Sequence, residues 1–157
     1  MKKTQILALF VCIILTSVSG IADAGEKILV NAKVPLPDDI KIDAPAEDVS
    51  KEISAFSGVW EGEWKSGLSD KSVLVVEEIN SKKVKVIYCR GERSGFYESP
   101  AYCDRYKGIV TPEKQQIKFG PAEKYPFTFS MQNNLNQVKG TFKAGGMEDE
   151  ITMTKLK

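Results

Sequence analysis

The chain has 157 residues, 42% of them hydrophobic, with 22 basic residues against 21 acidic ones and no histidine. So even a charge balance argues against nucleic acid or an anionic membrane as the main partner. The missing histidine removes Ser-His-Asp and Cys-His catalysis and any histidine general base or metal ligand.

Residues 1–24 read as an export signal. Met1-Lys2-Lys3 is a basic start, Ile6 to Val18 is an apolar run broken only by Thr16 and Ser17, and Ala22-Asp23-Ala24 is a small-x-small cleavage pattern. The run is short for a bilayer span and has no stop-transfer flank, so no stable membrane anchor is expected after cleavage. The expected location is periplasmic or secreted. Cleavage after Ala24 leaves 133 of the 157 residues, a one-domain length, with Lys2, Lys3 and Asp23 gone and the remaining charges balanced.

Cleavage also removes Cys12, which lies mid-core after Val11 and not where a lipid-accepting cysteine would stand. Cys89 and Cys103 remain, an even pair expected to form a disulfide in an oxidising compartment. There is no CxxC spacing and no histidine to complete a zinc set, so neither metal nor cofactor is expected.

Residues 25–45 hold three prolines and acidic turns such as Pro37-Asp38-Asp39, which predicts an extended arm or linker, partly ordered at best. From 46 to 157 the chain reads as one domain. Ala46 to Phe56 is expected to form a short N-terminal helix, with Pro45 suited to its first turn and Val49, Ile53 and Phe56 at helical spacing. Such a helix serves as a lid or plug on one end of the domain.

Everything after Phe56 has strand character. The predicted strands are Val59–Lys65, Val73–Ile79, Val84–Tyr88, Tyr106–Thr111, Gln116–Phe119, Phe127–Met131, Val138–Lys143 and Ile151–Thr154. In the first, Trp60, Gly62 and Trp64 share one face and Glu61, Glu63 and Lys65 the other. Which face of the nearly continuous apolar run Val73–Ile79 turns inward is left open. Eight short sequential strands predict an all-β fold, an antiparallel up-and-down meander that closes into a barrel, with a flattened sandwich as the alternative. An eight-stranded barrel is wide enough to be filled by side chains or to hold one small ligand.

Phe56-Ser57-Gly58-Val59-Trp60 resembles the F-x-G-x-W opening of the calycin barrels, the lipocalins, avidins and fatty-acid-binding proteins. The resemblance implies a lipocalin-like barrel in which the Gly bends the chain into the first strand and the Trp closes one end. It also implies a small apolar ligand. The chain departs from that pattern in having no T-D-Y triplet, in carrying Lys155 where an arginine would stack on the Trp, and in leaving no room for a helix pair after strand one.

Two functions compete. In the first, the protein is a non-enzymatic barrel that binds a small, partly apolar molecule through interior aromatics, with Trp60, Trp64, Tyr88, Phe127, Phe129 and Phe142 as ligand-binding residues and Val84 and Val86 beside them. In the second it is a protein-binding module, such as an inhibitor of an envelope-acting enzyme, similar in architecture to small exported lysozyme inhibitors. That module would use the long segment 90–102 between the cysteines, where Arg93, Phe96, Tyr97 and Tyr102 combine area with directed donors. The same residues also suit a bland role, with Phe96 and Tyr102 covering the barrel end and Arg90 and Arg93 paired with Glu92 and Glu98. No carboxylate pair is placed for glycoside hydrolysis, and Glu148-Asp149-Glu150 lacks the pattern of a calcium loop.

Overall fold

The computed structural model describes residues 34–66, 71–92, 98–121, 124 and 126–156. The export signal read in residues 1–24, the start of the arm, and Arg93, Phe96 and Tyr97 lie outside the described residues.

Alternating apolar and polar residues build eight strands: β1 Gly58–Trp64, β2 Ser72–Ile79, β3 Lys83–Arg90, β4 Tyr102–Thr111, β5 Gln116–Phe119, β6 Phe127–Met131, β7 Gln137–Ala144 and β8 Met147–Lys155. Each pairs antiparallel with the next, and β1 also pairs with β8, from Trp60 opposite Lys155 to Trp64 opposite Ile151. The result is a closed barrel, not a sandwich, and closure leaves β1 and β8 without a free edge.

Three strands run two or more residues beyond their predicted ends. β3 continues to Arg90, β4 starts at Tyr102 and not Tyr106, and β8 starts at Met147 and not Ile151. In each extension polar residues such as Asp104, Arg105, Glu148 and Asp149 interrupt the alternation. The ladder persists because a neighbouring strand supplies its partners, as in Arg90 opposite Tyr102 and Asp149 opposite Phe142.

The predicted helix is much shorter than its sequence pattern. Only one turn forms, α1 (Lys51–Ser54), capped by Ser50, whose hydroxyl accepts the Ile53 N–H at 3.4 Å. Residues before it are held away from helical geometry, because the Ala46 N–H donates to the Ile79 carbonyl at 3.2 Å at the end of β2. Pro45 is therefore outside the helix. Ile53 and Phe56 nevertheless reach the barrel core, and α1 closes the end of the barrel where β1 begins.

Gly58 takes φ +123°, a backbone conformation that a side chain would strain, as the chain turns from α1 into β1. Two residues on, the buried Trp60 indole N–H donates to the Phe56 carbonyl at 2.8 Å. Lys155 does reach this tryptophan: its Nζ lies 5.2 Å from the ring centroid and donates to the Ala55 carbonyl at 2.9 Å. An ammonium over an indole face is attractive at that range, and partial burial pulls the Lys155 pKa below its ordinary value.

The arm is packed where it is described. Val34, Leu36 and Ile40 cover an outer apolar patch of Val59, Val73, Val75, Ile87 and Cys89. This answers which face of β2 turns inward: Leu74 and Val76 join the interior, and Val73 and Val75 are buried under the arm outside. A register shift between Val76 and Glu78 sets Glu77 against the arm. The Glu77 carbonyl accepts the Asp43 N–H at 2.8 Å, and Arg105 bridges the Glu77 and Asp39 carboxylates at 3.6 and 2.7 Å.

Cys89 and Cys103 are bonded, directly opposite each other on β3 and β4 with Cα atoms 4.1 Å apart. The bond lies on the outer face, and the Pro35 carbonyl oxygen of the arm is 2.8 Å from Cys103 Sγ. Cross-linking residues 14 apart constrains mainly the unfolded chain and contributes about 3 kcal/mol in the chain-entropy treatment. Replacing both cysteines by alanine is expected to lower stability by about 2–4 kcal/mol in urea denaturation while the far-UV circular dichroism stays that of the barrel. An unchanged urea midpoint would show that the bond contributes nothing.

Candidate functional site

The interior is filled unevenly. Toward the α1 end, Phe56, Trp60, Leu74, Val76, Val86 and Met153 pack solidly and are essentially inaccessible. Phe119 and Phe129 stack across the middle, with ring centroids 5.6 Å apart and planes within 5°. Gly140 makes this possible, since a Cβ there would lie 2.4 Å from Phe129 Cε1. Beyond that layer the side chains stop filling the barrel, and a cavity of about 430 Å³ opens to solvent at the other end.

Five aromatic rings line the cavity, Trp64, Tyr88, Phe127 and Phe142 in its wall and Tyr102 at its rim. Phe127 sits centrally, 4.8 Å from Tyr88, 5.0 Å from Phe142 and 6.2 Å from Trp64 between centroids. Trp64 and Phe142 meet edge to face at 6.4 Å. These separations suit the edge and offset contacts that aromatic quadrupoles favour, so the wall holds its shape without a ligand.

A small polar triangle anchors it. The Trp64 indole N–H donates to the Tyr88 hydroxyl at 2.8 Å, with Ser72 Oγ a second acceptor at 3.2 Å, and the Tyr88 hydroxyl donates to Ser72 Oγ at 3.0 Å. All three residues are buried, so each hydroxyl and the indole N–H must find its partner within the protein. Burial pushes the Tyr88 phenol up to about 12, outweighing the hydrogen bonds from Ser72 and Trp64 that act the other way.

The rim is polar. Arg90, at the end of β3, places its guanidinium 5.1 Å from the centroid of the Tyr102 ring on β4 and donates to Ser99 Oγ at 2.5 Å. Burial raises the Tyr102 pKa, while nearby Arg90 lowers it. On the β8 side stand Met147, 67% exposed, with Glu148 and Asp149. Glu148 pairs with Lys143 at 2.7 Å, and Asp149 Oδ1 accepts the backbone N–H groups of Ser66 at 3.1 Å and Glu150 at 2.8 Å.

Of the six interior aromatics read from the sequence, Trp64, Tyr88, Phe127 and Phe142 line the cavity. Trp60 and Phe129 are interior but lie elsewhere, Trp60 at the closed end and Phe129 in the filled layer. Tyr102, read either as part of a partner-binding loop or as covering the barrel end, opens β4 and turns its ring to the cavity. Arg90 likewise belongs to a strand, two residues after Tyr88 and on the same face. That period of two was the signal available for it. Ser72, Met147, Glu148 and Asp149 carried no comparable signal, because only pairing across the barrel brings them to this end. No protein-family model matches the chain, and no curated protein matches it either.

The tyrosine makes a pH prediction. Above pH 10, tyrosines of the unfolded chain lose their protons while Tyr88 in the barrel keeps its own until about 12. The folded state then binds more protons than the unfolded state, so this contribution is complete below pH 10 and is lost as pH rises toward 12. One such group changes stability by about 1.4 kcal/mol per pH unit in that window. Between pH 9 and 11 the wild type is expected to lose more stability than Tyr88→Phe in urea titrations. Equal losses in the two proteins would show that Tyr88 is not the group responsible.

Proposed function

We propose that this protein is an exported, non-enzymatic, calycin-like barrel that binds a small, partly apolar molecule in the cavity at its open end. The single observation carrying this reading is the cavity itself: about 430 Å³, lined by five aromatic rings and rimmed by a few polar groups. Small-molecule sites have this size and this mixture of apolar wall with sparse polar groups. The calycin likeness is supported by the positive φ of Gly58, by Trp60 closing the far end and by Lys155 over its ring. Export is supported by the basic, apolar and small-residue order of residues 1–24 together with the Cys89–Cys103 bond. A mature chain beginning at Gly25 is the expected mass.

The described part of segment 90–102 favours the cavity over a partner-binding loop, because Arg90 and Tyr102 both line it. The chain's two tryptophans offer a direct test, since Trp64 lines the cavity and Trp60 lies at the opposite end. Titration with the neutral probe N-phenyl-1-naphthylamine, followed by ¹H–¹⁵N NMR, should shift the Trp64 indole resonance saturably and leave that of Trp60 in place. Assignment follows from Trp64→Phe. Shifts at both indoles, or at neither, would count against the cavity as the binding site.

A further inference from the structure

Arg90 brings a permanent positive charge to a wall that is otherwise aromatic. Its partners are incomplete. One terminal nitrogen donates to Ser99 Oγ and the guanidinium lies over Tyr102, but Nε is shut off from water with no hydrogen-bond acceptor. Among the described residues no carboxylate forms an ion pair with Arg90, whereas Arg105 on the outer face engages both Asp39 and Glu77. The rim acids do not supply the missing partner: Glu148 is held by Lys143, and Asp149 by two backbone N–H groups. Nε is out of reach from the cavity, but the side chain as a whole lines it, and a partly buried cation without an ionic partner is unfavourable unless a counter-charge meets it.

We propose that the ligand supplies the counter-charge Arg90 lacks: the cavity takes a small monocarboxylate with a compact aromatic or branched apolar body, its carboxylate seated on the part of the guanidinium that lines the cavity. The inference rests on the cavity being a ligand site, and adds the ligand's charge and anchor. The planar fork of arginine matches a carboxylate in shape, and partial burial beside the rings strengthens that pairing relative to bulk water. The aromatic wall of Trp64, Tyr88, Phe127 and Phe142 receives the apolar body, and the size of the cavity limits that body to a few rings or a short chain. Glu148 and Asp149 at the β8 rim disfavour a second negative charge, which selects monoanions over diacids and phosphate esters.

The test compares 2-naphthoate with its uncharged isostere 2-naphthamide by isothermal titration calorimetry on the mature, disulfide-bonded protein. Wild type is expected to bind the carboxylate at least tenfold more tightly than the amide. In Arg90→Gln that ratio should fall to near one, and Arg90→Lys should keep part of the preference. If both probes bind wild type equally, the anion inference is overturned and the cavity reading stands. Retention of the full preference in Arg90→Gln overturns it too, by assigning the anchor to another group. If neither probe binds, both readings fall. Should Arg90→Gln not fold, the wild-type ratio and its partial loss in Arg90→Lys decide the question.

Discussion

The pairing of β1 with β8 is the constraint on which the rest of the molecule depends. A sheet of eight short strands left open would present two edges of unpaired backbone groups, and none of its strands is long enough to be stable alone. Trp60 opposite Lys155 and Trp64 opposite Ile151 close that gap. Closure then fixes the interior. The inward residues of all eight strands share one small volume, so every large side chain placed at one level must be balanced by a small one opposite. Gly140 beneath the Phe129 ring is the clearest case.

Closure also divides the barrel into two halves with different tasks. At the α1 end the large residues interlock: Phe56 and Trp60 from the entry segment meet Leu74, Val86 and Met153, and Lys155 lies over the indole. That half supplies the apolar burial that a domain of this length needs. At the other end Phe127 meets Tyr88 and Trp64 across the barrel, and beyond these rings the interior is left open. The hydrogen bonds among Trp64, Tyr88 and Ser72 hold two of those rings in orientation, so the opening is part of the packing. Stability and a space for a ligand thus come from opposite ends of the same set of strands.

The outside of the barrel has its own requirement. β2 is apolar on both faces, an arrangement that antiparallel strands with one wet face do not tolerate. The arm meets this need by laying Val34, Leu36 and Ile40 over Val73, Val75 and Ile87. The disulfide lies within the same patch, joining β3 to β4 directly beneath the arm. The outer cover, the cross-link and the ion pairs of Arg105 with Asp39 and Glu77 therefore tie the arm to three adjacent strands.

Much of this was legible in the residues, because strand periodicity and turn chemistry are local. The eight strands, the bounds of β5 and β6 and the up-and-down order follow from alternation, and the cysteine pairing from the even count that remains when Cys12 is read as part of an export signal. The Gly58-Trp60 spacing likewise marked where the barrel begins. What the local pattern could not carry was anything decided by a partner distant in sequence. The predicted helix shrank to one turn because the end of β2 claims the Ala46 N–H. β4 and β8 lengthened through polar residues because neighbouring strands offered ladder partners. The two-sided burial of β2 depended on where a proline-rich arm came to rest.

The site was decided the same way. By itself the sequence determined that aromatic side chains would face a shared interior, since Trp64, Phe127 and Phe142 alternate with polar neighbours along their own strands and Tyr88 keeps the two-residue step of Val84 and Val86. Only the tertiary structure decided that these four border a space while Trp60 and Phe129 fill one, and that Arg90 stands beside them with no carboxylate ion pair among the described residues. The physical reason is that a side chain's facing is set by the two-residue period of its strand, but its height in the barrel is set by pairing register. Register is a relation between strands that no single strand encodes.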